Sequence, residues 1–194
     1  MPDAETLKSL PSAAQAYGAS KVLAHTAGSD FIKENQVQFK LVRVLPGYIQ
    51  GANELYRSAA DMRDEAILGS NEGTMLTALG VKVGHPRITH QVYLDDVAKA
   101  HVLALSADVN SGDNLLVVGN KGISVPWSDF VPLIQKQFPD AVARGIIDPK
   151  AEDESVGAKF DVASTEELLG YKFGGPEEII KSVVGQYLAL VESV

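Results

Sequence analysis

Cysteine is absent from the sequence, which excludes disulfides, thiol nucleophiles and thiolate metal sites together. Basic residues are in the minority: 17 Lys and Arg face 25 Asp and Glu, giving a formal net charge of -8 and a pI of about 5.0. Nucleic-acid binding relies on basic stripes, so no nucleic-acid partner is expected. No stretch approaches the ~18 apolar residues of a membrane span. Met1-Pro2-Asp3-Ala4-Glu5-Thr6 has neither the basic start nor the apolar run of a signal peptide. The expectation is a cytoplasmic protein with no membrane contact. Internal repeats and low-complexity tracts are missing too. His85, His90 and His101 lack zinc-ligand spacing, and no metal is expected.

What is present is the composition of an ordinary globular chain. Its 194 residues, 45% hydrophobic and 22% charged, have room for one domain with a core. Near the start of a long helical pattern stands Tyr17-Gly18-Ala19-Ser20-Lys21. Tyr and Lys four residues apart share a helix face, and an ammonium beside a phenol favours the phenolate. Such a pair can act as proton donor and acceptor. Taken alone, a Tyr-x-x-x-Lys is common by chance and more often reads as a surface pair on an amphipathic helix. His25 continues the same slowly drifting face, either as a second acid/base group or as a partly exposed helix histidine.

The apolar spacing predicts a helix over 12–35, with Val22, Leu23, Thr26, Phe31 and Ile32 on one face, preceded by a leader arm at 1–11. Residues 38–45 read as a strand. It is stopped by Pro46-Gly47-Tyr48-Ile49-Gln50-Gly51, a turn at the strand's carboxyl end, where open α/β sheets bind ligands. Residues 52–79 predict a second helical region, broken around Gly69–Gly73 (69–73). Its Tyr56, Met62, Ile67, Met75 and Leu76 are core or pocket wall, and Tyr56 is kept as a candidate substrate contact. Residues 80–86 read as a strand or hairpin piece and a turn. Residues 88–94 alternate like a strand and run into Asp95-Asp96, read as an N-cap, and a helix. A third short strand at 115–119, a helix ending near Gln137, an irregular acidic connection at 142–160, a capped helix at 164–170 and a terminal helix from Pro176 complete the chain.

Five pieces in this order resemble the C-terminal part of an extended short-chain dehydrogenase/reductase. The closest likeness is to NADP-dependent ketoreductases and aldehyde reductases of the dihydroflavonol-reductase type. They are Tyr17-x-x-x-Lys21, Pro46-Gly47-Tyr48-Ile49-x-Gly51, the run from Val92 through Asp95-Asp96 to His101, Trp127-Ser128-Asp129-Phe130, and Thr165-Glu166-Glu167-Leu168-Leu169-Gly170. The resemblance implies Tyr17 as general acid toward a carbonyl and Lys21 as its partner. It also implies Pro46, Gly47, Tyr48 and Ile49 as pocket wall. It departs from the family in having no G-x-x-G-x-x-G phosphate cradle and no upstream catalytic Ser or Thr, since only Thr6, Ser9 and Ser12 precede the tyrosine, all close to it. The family often carries Glu where His25 stands.

The expected fold is therefore α/β, a truncated Rossmann-like domain over 1–194. A reduced parallel-type sheet with flanking helices would occupy 12–120, and a mostly helical substrate-binding portion 121–194. No cofactor is expected for this chain; NADP enters only if an oligomer or partner rebuilds its site. A homodimer or heteromer is expected to cover the strand at 38–45. Three functions remain open. The first is cofactor-free isomerisation, elimination or cyclisation of a small carbonyl-bearing or polyketide-like molecule, with Tyr17, Lys21 and His25 as acid/base groups. The others are a reductase piece completed by another chain and a non-catalytic scaffold.

Overall fold

The computed structural model describes residues 12–64, 68–106 and 108–193, so the expected leader arm with Ser9, and the expected apolar residue Ile67, lie outside the described residues. The chain gathers into two compact units. One comprises Met1–Arg43 with Val109–Asn114, the other Val44–Asp108 with Leu115–Val194.

In the first unit, α1 (Ala13–Glu34) starts where Ser12, in extended conformation, accepts the Gln15 N–H through its hydroxyl. It ends at Asn35, whose side-chain amide donates to the Phe31 carbonyl at 2.8 Å. The helix matches the sequence pattern, but its apolar face is not covered: none of its residues is buried, and Val22 and Phe31 are about half exposed. Residues 38–42 do not form the expected strand. Hydroxyl and turn contacts take up their polar groups instead: Leu41 N–H donates to Ser111 Oγ, Gly112 N–H to Leu41 O, and Lys40 Nζ to Val109 O. Gly28 lets this segment approach α1, since a Cβ there would meet Leu41 and Arg43 at 3.2 and 3.1 Å.

The strand proper is β1 (Arg43–Pro46), paired with β5 (Asn114–Val117). The expected turn at 46–51 is a second strand, β2 (Tyr48–Gln50), which pairs in parallel with β4 (Gln91–Tyr93), Tyr48 opposite Gln91. Gly47 alone makes the change of partner. Its N–H donates to Val117 O on one side, while the next N–H, of Tyr48, donates to His90 O on the other. A Cβ on Gly47 would stand 2.3 Å from that His90 oxygen, so only glycine allows the crossing. A third pair, β3 (Arg87–Ile88) with β6 (Ser155–Val156), is also parallel. The strands thus form three separate two-stranded sheets rather than one, so the expected reduced sheet is present in pieces.

Among the described residues of the helical region expected over 52–79, those before Glu72 are mostly loop, with 3-10 turns at Asp61–Arg63 and Gly69–Asn71. Side chains compete with helix here: Asp61 Oδ2 accepts the N–H groups of Arg57 and Ser58, and Asn53 Oδ1 that of Leu55. A true helix, α2 (Glu72–Leu79), follows and stops at left-handed Gly80. Tyr93 rather than Asp95 is the N-cap of α3 (Leu94–Leu103), which places Asp95 and Asp96 in its first turn. Then come α4 (Trp127–Gln137), α5 (Pro139–Ala143), α6 (Ala163–Leu169) and α7 (Pro176–Glu192). The core of this unit is helical. Met75 and Ala78 of α2, Trp127, Phe130 and Ile134 of α4, and Ile180, Val183, Val184 and Tyr187 of α7 are buried in one cluster.

The Gly47 crossing generates a prediction. Gly47→Ala is expected to lower folding stability by about 1–3 kcal/mol, because a fixed backbone oxygen cannot rotate away from the new methyl. A urea midpoint equal to wild type would contradict this account of the crossing.

Candidate active site

The two groups of residues singled out in the sequence sit one in each unit. In the first, Tyr17 and Lys21 stand one turn apart on α1, with the Lys21 ammonium 5.2 Å from the centroid of the phenol ring. The phenol is 66% exposed, free to meet a substrate and without a buried partner to lock it. Two turns further on, His25 has a different role. Its Nε2 lies 3.0 Å from Asn114 Oδ1, and its backbone carbonyl accepts from Arg43 at 3.1 Å. Arg43 also donates to Ser29 Oγ at 2.9 Å. His25 thus joins α1 to the segment at 43 and 114, one turn beyond Lys21 on the same helix.

In the second unit, Tyr48 lines a cavity of about 190 Å³ together with Gln50, Glu72, His85, Arg87 and Trp127. Ile49 lines a separate cavity of about 480 Å³ with Asn53, Leu68 and Leu94. Pro46 closes β1 and Gly47 is the crossing. Tyr56, expected to touch substrate, is instead core: it is 4% exposed and its hydroxyl donates to Leu68 O at 2.9 Å. A large apolar ring with a reachable backbone acceptor is more stable inside than at a wet wall.

Sequence reasoning missed the residues that hold the smaller cavity together. The Gln50 amide donates to Ser70 O at 2.7 Å, and its oxygen accepts from Thr74 Oγ1 at 2.6 Å. The Asn71 side chain brackets Gly51, accepting its N–H at 3.0 Å and donating to its carbonyl at 2.8 Å. Arg87, buried, donates to Gly73 O and Thr77 Oγ1, stacks 5.2 Å from the Trp127 ring and stands 3.4 Å from the Asp153 carboxylate. Burial lowers the Arg87 pKa, opposed by Asp153 and Glu72. Burial alone would raise Asp153, but the Gly84 and Val83 N–H groups and Arg87 outweigh it and hold its carboxyl below the ordinary value. A lone Arg after His85-Pro86 carries no motif, so nothing in the sequence marks it.

Asp96 is structural. It is buried, accepting the Tyr171 hydroxyl at 2.7 Å and the Gly174 N–H at 2.8 Å, and this bond raises Tyr171 to about 12. The junction where β4 enters α3 also bears on cofactors. A dinucleotide pyrophosphate needs free N–H groups and no negative charge at such a junction. Asp95 and Asp96 occupy that first turn, so this junction does not offer a seat for a pyrophosphate. Among the described residues no cluster of three His, Asp or Glu could hold a metal, and no helix is long and apolar enough to cross a membrane.

Comparison with known proteins fits this architecture. No family model matches the chain. A ketoreductase of Cercospora beticola is 34% identical over 181 residues, covering 91% of this chain and 49% of that protein. An NAD-dependent epimerase/dehydratase of Alternaria alternata is 31% identical over 183 residues, covering 87% and 49%. In fold, the chain superposes on yeast methylglyoxal/isovaleraldehyde reductase, solved with NADPH, with a TM-score of 0.70 at 23% identity, covering 99% of this chain and 56% of that one. The chain is related to short-chain dehydrogenase/reductases of the ketoreductase and epimerase/dehydratase type, and it carries the Rossmann-like fold of their C-terminal part. It spans about half the length of the curated relatives it matches.

His90 yields a pH prediction. Burial lowers its imidazole pKa, while Tyr48 and Phe160 meet its ring edge-on at 5.3 and 5.4 Å. Below about pH 6.5 the unfolded chain binds a proton at His90 that the folded chain resists, so stability falls as pH drops through that value. His90→Phe is expected to flatten the fall in urea midpoint between about pH 7.5 and about pH 5.5. An unchanged slope would show that His90 is not the group responsible.

Proposed function

We propose that this chain is the carbonyl-side part of a ketoreductase-type enzyme, acting on a small carbonyl-bearing molecule through Tyr17 and Lys21. The observation that carries it is the Lys21 ammonium held against the Tyr17 ring on an exposed helix face. The Tyr17 hydroxyl donates its proton to the carbonyl oxygen as negative charge builds there. The adjacent ammonium stabilises the phenoxide left behind. His25 takes no part, being held by Asn114.

NADPH is named for some relatives, but the junction at Asp95 and Asp96 offers its pyrophosphate no seat, so no hydride step is assigned to this chain alone. Hydride chemistry in this reading needs a nucleotide cradle from outside residues 1–194. Association with a second copy or another chain over the segment at 38–45 is part of the proposal, supported by Phe39, 58% exposed, and by the absence of any buried residue on α1. Without hydride, the same pair serves enolate protonation, hence isomerisation, elimination or cyclisation.

The test is turnover of aryl and alkyl ketones by the pure protein, with and without NADPH, and again with a partner chain bearing a G-x-x-G-x-x-G unit. Tyr17→Phe and Lys21→Met are each expected to lower kcat by roughly 10²–10⁴-fold in whichever arm is active. Their melting temperatures should not change, since both side chains are exposed. Turnover indifferent to both variants would remove the acid/base assignment.

A further inference from the structure

We propose that the pocket bordered by Lys121, Lys159 and Lys172 and walled by Phe160 binds a small aromatic monocarboxylate. It encloses about 790 Å³ and shares no lining residue with the cavities at Tyr48 and Ile49. Ligand sites run from about 300 to about 1,000 Å³. Half-buried Phe160, exposed Ala163 and the methylene stems of the lysines supply the apolar contact, with buried Val162 and Phe173 underneath. A flat fused-ring body suits this wall, because rings meet an aromatic side chain by face or edge.

Charge chooses the head group. The whole chain carries a net charge of -8, yet three lysines gather here. Lys172 is engaged: its ammonium lies 2.9 Å from Oε2 of buried Glu166, whose other oxygen accepts the Phe173 N–H at 3.0 Å. Asp161 Oδ1 accepts the Ala163 N–H at 3.1 Å. Among the described residues, Lys121 and Lys159 have no carboxylate within ion-pairing distance. Three ammoniums against the carboxylates of Asp161 and Glu166 leave one positive charge. A single carboxylate neutralises it, and a phosphate dianion overshoots.

The backbone singles out Lys121. Its φ is +57° and that of Asn120 +53°, both in the left-handed region that penalises a Cβ. The turn is held there by Asn120 N–H on Gly174 O at 2.7 Å, Asn120 Nδ2 on Ile123 O at 3.0 Å and Phe160 N–H on Gly122 O at 2.8 Å. Backbone held in this way clusters at ligand sites. Glycine would adopt the same φ at less cost, and the Lys121 ammonium has no ion-pair partner among the described residues to offset the difference.

The test is binding, so its outcome is independent of the acid/base reading. 2-Naphthoate, its neutral counterpart 2-naphthamide and acetate are titrated calorimetrically into the full chain at low salt. 2-Naphthoate is expected to bind saturably at one site, and the other two about tenfold more weakly or less. Lys121→Gly and Lys159→Gln should each weaken 2-naphthoate about threefold, and together about tenfold. Lys121→Gly should melt at or above the wild-type temperature, which separates a lost contact from lost folding. Ala163→Phe, filling the pocket from an exposed position, should weaken binding about tenfold. Lys82→Gln, a change at an exposed lysine outside the pocket, and Tyr17→Phe should both bind as wild type. The proposal is overturned by no saturable binding, by acetate or 2-naphthamide matching 2-naphthoate, or by full affinity in the double lysine variant or Ala163→Phe. An equal loss in Lys82→Gln or Tyr17→Phe would overturn it too.

Discussion

The second unit depends on one backbone crossing at Gly47. There the chain leaves β5 and takes up β4 as partner within a single residue, because Gly47 N–H serves Val117 and Tyr48 N–H serves His90. Gly119 closes the arrangement by donating to Gln91 O, and a Cβ at Gly119 would stand 2.8 Å from Gly174 O. Main chain therefore passes main chain twice with no side chain between. Everything downstream follows from that closeness: Gln50 lands in the interior at the end of β2, and Tyr48 lands at a cavity rim.

The buried polar groups around Gln50 then decide which loop can pack there. Gln50, Asn71 and Thr74 are each satisfied, by Ser70, by Gly51 and by one another. Breaking one partner would leave a buried group unpaired, a larger penalty than the net gain of any single bond. The 52–71 loop is anchored from its other side by α7, where Ser182 Oγ accepts Ala52 N–H and Gln186 exchanges two bonds with Asn53. A segment with little regular structure is thus held between β2 and the terminal helix. Beneath it, α2, α4 and α7 bury Trp127, Phe130 and Tyr187 together, which gives the cavity a rigid floor.

Much of this was legible in the sequence because it rests on period and punctuation. The helix from Ser12, the Gly170 stop and the α7 face of Ile179, Ile180, Val183 and Val184 follow from spacing and caps alone. So does the ordered set of motifs that marks the family. The failures share a cause: local side-chain bonds and close backbone approach outrank propensity. Asp61 and Asn53 turn a helical pattern into loop, Ser111 takes the N–H that a strand at 38–42 would need, and Gly47 makes a strand change look like a turn. Tyr56 and Arg87 were illegible for another reason. Whether a Tyr is core or wall, and whether an Arg is buried, depends on partners distant in sequence, such as Leu68 and Asp153.

Among the described residues, helix α1 is tied to the neighbouring segment around one stretch of its length. Its hydrogen bonds to the neighbouring segment are made at His25 and Ser29, and Gly28 sits in close approach to Leu41 and Arg43 between them. Tyr17 projects eight residues beyond that clamp, about 12 Å at the helical rise of about 1.5 Å per residue. An angular swing of about 5° at the clamp moves the tip by about 1 Å, and a misplacement of that size is enough to cost a reaction roughly 10²-fold. The stiffness of the clamp, set by Arg43 bonding His25 and Ser29 far from the phenol, therefore governs how well a proton donor at Tyr17 can be aimed. A body resting against the helix near Tyr17 would damp the swing without touching any reacting atom.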